Sequence, residues 1–388
     1  MKHFISRRNF LKAVGVTAAA SAMAAAVPQA SAGFLTGKDA AVTILYTNDV
    51  HTYIDHKSPK LTYAAIAAMK QGYVDEGKPV LLVDAGDHIQ GTAYGSMDDG
   101  ATIIELMNEA GYDIATLGNH EFDYGMARAK AIIKEADFPY VSCNWVDLRT
   151  GLRVLPAVKL FPAGGKWIAF VGITTPESFT KSTPAYFMNA KQTRYIYDIL
   201  GGDDGRKLYD AVQRAIDKAK TLGADIIIGL GHLGVDPSSS PWTSEDVIAN
   251  TTGFDAFIDG HSHSTFSETI KDKSGKEVVF EQTGTKLANV GKIIIKADGT
   301  ITHENVDLNT VEPDAEAAAY IQTITDKFDA LQKQVVAKTS VELTINGADG
   351  KRAVRNAETN LGDLCADAYR ILLGADIAFV NGGGVRDN

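Results

Sequence analysis

Cysteine is nearly absent from this chain. Cys143 and Cys365 are the only two in 388 residues. They are too few for the disulfide framework of a small secreted scaffold, and they read as buried single thiols. Basic charge is also in deficit: 38 Lys and Arg stand against 48 Asp and Glu, a net charge of −10. That balance disfavours nucleic-acid polymers and anionic membranes as partners. It leaves small phosphate compounds open, because bound cations invert the local potential. Long apolar runs are missing too. The stretch from Ala13 to Val27 is too short and too alanine-rich for a stable membrane span. No motif for a serine or cysteine nucleophile stands out.

The alanine-rich stretch has another reading. It follows Ser6-Arg7-Arg8-Asn9-Phe10-Leu11-Lys12 and precedes Ala30-Ser31-Ala32, a small-x-small cleavage pattern. Together they predict a twin-arginine signal peptide over residues 1–32, export to the periplasm or beyond, and the Tat machinery as a partner. Removing it takes away Lys2, Arg7, Arg8 and Lys12 and no acid, moving the net charge from −10 to −14. The mature length of roughly 350 residues exceeds one ordinary domain.

What is present is a set of five clusters, each closing an apolar run. They are Thr47-Asn48-Asp49-Val50-His51, Gly86-Asp87-His88, Gly118-Asn119-His120-Glu121-Phe122-Asp123, Gly231-His232-Leu233-Gly234 and Gly260-His261-Ser262-His263. The runs before them are AVTILY, PVLLVDA, DIATL, ADIIIGL and FDAFID, and each reads as a short buried strand. Six of the nine histidines fall inside these clusters. In α/β sheets, chemistry collects at the carboxyl ends of strands, so five such ends point to one converging site. Imidazole, carboxylate and amide oxygen suit divalent ions such as Zn, Mn, Co or Mg. The candidates are too many for one tetrahedral ion, and a shared carboxylate bridges two ions about 3.5–4 Å apart in two-metal sites. Asp49 and His51 are two residues apart, as are His261 and His263; an extended chain would project each pair to one side.

These motifs resemble the calcineurin-like metallophosphatases. Within them, the chain is similar to the 5′-nucleotidase / UDP-sugar hydrolase / 2′,3′-cyclic phosphodiesterase family. The distal run Glu358-Thr359-Asn360-Leu361-Gly362-Asp363-Leu364, followed by Asn381-Gly382-Gly383-Gly384-Val385-Arg386, adds to the likeness. The resemblance implies an α/β fold: a four-layer α-β-β-α sandwich, then the start of a second α/β substrate-binding domain. Expected boundaries are a catalytic domain over 40–308, a linker helix within 309–339 and an incomplete C-terminal domain over 340–388. Expected helices include Leu61–Met69, Ala101–Ala110, Lys207–Leu222, Ala315–Val336 and Leu361–Leu373, and strands are expected at Val341–Ile345 and Ala375–Val380.

The same resemblance implies the site. One divalent ion falls to Asp49, His51, Asp87 and His263. The other falls to Asp87, Asn119, His232 and His261, with Asp87 as the bridge and Asp84 as its rival. His120 contacts the phosphoryl oxygens and Asp123 holds its imidazole; His88 is a candidate outer group. Arg355, Arg386, Asn381 and Gly384, with Asn119, contact substrate, while Lys351 replaces an arginine of some members. The implied activity is hydrolysis of nucleotide phosphate esters by metal-activated water. Alternatives on the same site are a UDP-sugar diphosphatase, a cyclic phosphodiesterase, a dimanganese thiosulfohydrolase, or a truncated relative that holds metal without turnover. Two loops, Thr174–Asp204 and Gly234–Pro241, read as ordinary surface segments.

Overall fold

The structure, a computed structural model, describes residues 40–54, 62–306, 311–335 and 337–385. The expected signal peptide, the expected boundary residue Leu308 and the candidate substrate contact Arg386 lie outside the described residues. In chain order the first strands are β1 (Val42–Thr47), β2 (Val80–Asp84), β3 (Ile114–Ala115), β4 (Trp145–Asp147), β5 (Leu152–Arg153), β6 (Val158–Ala163) and β7 (Lys166–Thr174). They are followed by β8 (Tyr197–Ile199), β9 (Ile226–His232), β10 (Ala256–Ile258), β11 (Thr265–Lys271), β12 (Glu277–Thr283), β13 (Gly291–Ile295) and β14 (Ile301–Asn305). One sheet has the order β14-β13-β1-β2-β3; a second runs β11-β12-β10-β9-β7-β6. Strands β4, β5 and β8 form a small third sheet.

Side-chain alternation along the strands builds the layers. Val42, Ile44 and Tyr46 on β1 face one way and pack with Ile228 and Leu230 of β9 and Ile168 and Phe170 of β7. That is the core between the two sheets. Leu45 and Leu82 point to the opposite side of the first sheet, onto a helical layer that includes Ile66, Ile103 and Met107. Ala169, Val171 and Ile227 point to the outer side of the second sheet, onto the helix Arg206–Thr221. That helix buries Leu208, Ala211, Val212, Ala215, Ile216 and Ala219, a stripe at helical spacing. Three cores separate four layers, the α-β-β-α sandwich expected. Truncating Ile228, fully buried between the sheets, to alanine is expected to cost about 2–5 kcal/mol. Denaturant unfolding measures this, and a loss well below 1 kcal/mol on the same scale would show that the inter-sheet core repacks freely.

Strand register then aligns the loops. Thr47 of β1 pairs with Asp84 of β2, and Asp84 with Ala115 of β3. Ile258 of β10 pairs with Leu230 of β9. All three pairings are parallel, so in each sheet the strand ends carrying the clusters fall at the same edge.

The helix expected over Ala315–Val336 forms over Ala315–Gln332. Its Ile321, Ile324 and Phe328 join the helical core over the first sheet, with Phe328 edge-on to Tyr94 at 4.9 Å. The helix Asn360–Leu373 also forms, capped by the Thr359 side chain. The strands expected at Val341–Ile345 and Ala375–Val380 do not: the described part of this segment has one isolated bridge, Asn346 to Arg352. A strand needs a neighbouring strand, and among the described residues the first run is instead held by turn and side-chain contacts: the Ile345 carbonyl accepts from Ala353 and Val354, and the Thr344 N–H donates to Asn360 Oδ1. Cys143 is buried as expected, and burial pushes its thiol pKa up to about 12. Cys365 departs from the expectation, being only half-buried, and both thiols are free.

Candidate metal centre

Nine expected site residues meet at this edge. Asp49, His51, Asp87, Asn119 and His232 are buried, each 3% exposed or less. Donor atoms of Asp49, His51 and His263 lie within 4.8 Å of one another, as do those of Asp87, His232 and His261, and of His51, Asp87 and His120. Asp87 Oδ2 stands 3.1 Å from His232 Nε2 and 3.9 Å from His51 Nε2, between the two outer groups. Asp49 Oδ1 stands 3.4 Å from His263 Nε2 and 3.8 Å from His232 Nε2. His51 Nε2 and His263 Nε2 are 3.0 Å apart.

Asp49 and His51 do converge, while His261 and His263 reach different donor groups of the cluster; neither arrangement comes from extended chain. Asp49, His51, Asp87, His261 and His263 all have positive φ, between 49° and 79°. Non-glycine residues in this left-handed region cost on the order of 1–3 kcal/mol each and gather at functional sites. Tight turns, not pleated strand, aim these side chains inward. Glycine is required where the backbone crowds the cluster: a Cβ on Gly118 would sit 2.2 Å from Asp87 Oδ1 and 2.7 Å from His232 Nε2.

The donor set fits a divalent cation. His51 gives its Nδ1–H to the Gln90 carbonyl at 2.9 Å, and burial lowers its pKa to about 4 against the pull of Asp87 and Asp49. The ring is therefore neutral, with the lone pair on Nε2, the atom that faces His263 Nε2 and the carboxylates. His232 likewise gives Nδ1–H to the Ala85 carbonyl at 2.6 Å. Asn119 Oδ1 is a buried polar atom with no hydrogen-bond partner, and His232 Nε2 makes none of good geometry, facing only the Asp87 carboxylate at 3.1 Å; buried atoms so placed are costly unless something else satisfies them. Burial opposes charge on His232, yet Asp87 and Asp49 raise its pKa well above the usual range. Two buried carboxylates demand positive charge at this point.

Residues 42–265 match the family model for calcineurin-like phosphoesterases. The chain belongs to that family. Residues 335–388 of this phosphoesterase match the 5′-nucleotidase C-terminal domain. Human 5′-nucleotidase is 30% identical over 89% of this chain and 64% of its own length. An endonuclease of Bacillus subtilis is 27% identical over 89% of this chain, but only 29% of its own length. The crystal structure of a 5′-nucleotidase precursor from Thermus thermophilus superposes with a TM-score of 0.68 at 25% identity, covering 86% of this chain and 67% of that one. The chain thus spans less than two thirds of the length of these curated relatives. Calcineurin-like phosphoesterases use divalent metals, and the clustered donors suit them.

Around the phosphoesterase's cluster lies a layer of buried acids, of which motif reading gave Glu121 and Asp259 no role and Asp84 only that of a rival ligand. Glu121, fully buried, accepts the backbone N–H of Asp87 at 2.8 Å, His88 at 2.9 Å and Gly118 at 2.6 Å. It locks two ligand loops together. Asp259 accepts the N–H of Leu233 and Gly234 at 2.9 and 3.0 Å, fixing the loop after His232. Asp84 turns away from the cluster: it accepts from Thr47 Oγ1 at 2.7 Å and pairs with His88 Nδ1 at 2.9 Å. His88 is fully buried behind the site, bonded also to Tyr140. Burial opposes its charge, but Glu121 and Asp84 raise its pKa to about 9, a buried cation between buried acids. Sequence offered no sign of these contacts beyond the unusual sight of acids ending apolar runs.

His120 sits at the rim, with Nδ1 2.5 Å from Asp123 Oδ2 and Nε2 4.0 Å from Asp87 Oδ2. Arg355, Asn381 and Gly384 belong to the C-terminal segment. Asn381 accepts the Gly383 N–H at 3.0 Å, and a Cβ on Gly383 would sit 3.4 Å from the Arg355 guanidinium. Among the described residues, neither Arg355 nor Asn381 makes a hydrogen bond or ion pair to the cluster.

Proposed function

We propose that this chain is an exported di-metal phosphoesterase that hydrolyses phosphate esters of nucleotides. The observation that carries the reading is the convergence of seven candidate ligands with the His120–Asp123 pair at one edge of the sandwich. Asp49, His51, Asp87 and His263 hold one ion; Asp87, Asn119, His232 and His261 hold the other. When bound, divalent ions at such a site neutralise phosphoryl oxygens and acidify the attacking water. His120 presents Nε2 toward the phosphoryl group and donates as negative charge grows on its oxygens. Asp123 takes the Nδ1–H, fixing the ring's orientation. Arg355 and Arg386 offer planar guanidinium groups to phosphate, and Asn381 and Gly384 line the nucleoside side. The match of residues 335–388 to a 5′-nucleotidase domain supports nucleotides as the substrate class.

A substrate panel tests the reading: AMP, UDP-glucose, 2′,3′-cyclic nucleotides, a thiosulfonated carrier protein and duplex DNA, with and without chelator. The expected result is release of inorganic phosphate from AMP, abolished by chelation and restored by a divalent ion. The net charge of −10 argues for the mononucleotide over the polymer. Undiminished AMP hydrolysis after complete metal removal would refute the di-metal reading. Preference for the sugar diphosphate or the cyclic ester would keep the metal centre and change the substrate.

A further inference from the structure

His261 is held from outside the cluster. Glu177 Oε2 lies 2.8 Å from His261 Nε2 and also accepts from Ser239 Oγ at 2.7 Å. Glu177 follows β7, and Ser239 lies in the loop after β9. The two surface loops therefore meet at one carboxylate, and that carboxylate meets a candidate ligand. Lys181, the nearest cation, reaches Oε1 only at 3.8 Å and is half exposed, so the shorter contacts go to the histidine and the serine. The Glu177 side chain is 12% exposed, so the contact is largely shielded from water.

The chemistry of the ring gives this contact a purpose. A carboxylate accepts, so His261 Nε2 carries the proton and donates it. Nδ1 then keeps its lone pair. His261 has a donor atom grouped with Asp87 and His232, and with Nε2 engaged, Nδ1 is the nitrogen left to ligate. We infer that Glu177, anchored by Ser239, is a positioning residue that fixes the Nδ1-ligating tautomer and orientation of His261. This rests on the di-metal reading above. Outer partners of ligating histidines are worth about 10- to 100-fold in metal affinity.

The test uses the full chain and two readouts. Affinity for Mn or Zn comes from titration against a competing chelator. The tautomer of His261 comes from nitrogen-15 NMR of the imidazoles. Glu177→Ala should weaken one ion on the order of 10- to 100-fold, leave the other in place, and lose the Nε2-protonated signature. Its AMP turnover should return when metal is raised, which a general loss of structure would not allow. Glu177→Gln keeps an acceptor oxygen and should keep the signature. Ser239→Ala should weaken the same ion by less. If Glu177→Ala does not fold, the signature in Glu177→Gln decides: its loss there overturns the inference. Unchanged affinity and tautomer in Glu177→Ala also overturn it, leaving the di-metal reading intact. A wild-type chain that binds no divalent ion sinks both.

Discussion

Asp87→Asn is expected to empty both halves of the centre. The substitution is nearly isosteric, so the loop should keep its shape: Glu121 still holds the Asp87 N–H at 2.8 Å and the Gly118 N–H at 2.6 Å. What changes is charge. Asp87 Oδ2 faces His232 at 3.1 Å and His51 at 3.9 Å, which places one carboxylate between the two donor groups. Burial disfavours its charged form, but His232, His120 and His51 hold its pKa well below the usual range. An amide offers a single neutral oxygen and cannot bridge two cations with comparable strength. Affinity at each half should fall by more than about 100-fold, since even indirect partners reach that figure. AMP turnover should fall below detection with it. Elemental analysis and chelator competition measure the ions; an unfolding curve of the chelated proteins checks that the fold survives. Removing a buried charge should leave that chelated fold as stable as wild type or more so. Two tightly bound ions in Asp87→Asn would pass the bridging role to Asp49, whose Oδ1 also stands 3.4 and 3.8 Å from histidines of the two groups.

The bridge also marks where sequence stops being informative. The five clusters were legible because their signal is local: a strand's worth of apolar residues, then glycine and a ligand type. The sandwich was legible only through the family resemblance, because continuous apolar runs do not announce their faces; it is the structure that sorts Val42, Ile44 and Tyr46 to one side of β1 and Leu45 to the other. The Gly86-Asp87 motif favoured Asp87 over Asp84, and the structure supplies a physical reason the sequence did not: a left-handed turn, with Gly86 at φ 93° and Asp87 at φ 60°, sends Asp84 back toward Thr47 and His88 and Asp87 toward His232 and His51. The convergence of Asp49 with His51 was read correctly from the wrong geometry, because positive φ at a non-glycine residue is set by the surrounding structure and not by its own preference. Glu177 and His261 are 84 residues apart, and nothing in either loop announces the pairing. The C-terminal strands fail for the opposite reason. Val341–Ile345 and Ala375–Val380 have strand-like residues, but strand formation is a property of pairs, and apolar content alone does not supply the partner.

His120→Ala separates turnover from metal binding. The ring lies at the rim, with a side chain 20% exposed, between the buried candidate ligands His51 and His232 at 1% and 0% and the candidate ligand His263 at 34%, so its hydrogen bonding and not its exposure sets it apart. Its Nδ1 is committed to Asp123 at 2.5 Å, and its Nε2 stops 4.0 Å short of Asp87 Oδ2, too far for a hydrogen bond. A group placed at the edge of a cation cluster, oriented by a carboxylate and facing inward, is positioned to meet an oxygen of the substrate. Removing one such donor costs about 10²–10³-fold in kcat in well-studied cases. The same loss is expected here, with both ions retained and KM for AMP changed little, because the interaction strengthens only as charge develops. Asp123→Asn should fall between wild type and His120→Ala: the amide oxygen still accepts from Nδ1, but without charge to support the ring when it donates. Metal content and kinetics must come from the same sample. His120 also shares a 4.8 Å neighbourhood with His51 and Asp87, so a ligand role has a definite signature of its own. One ion missing from His120→Ala, in proportion to the lost activity, would move this histidine from the substrate side of the centre to the metal side.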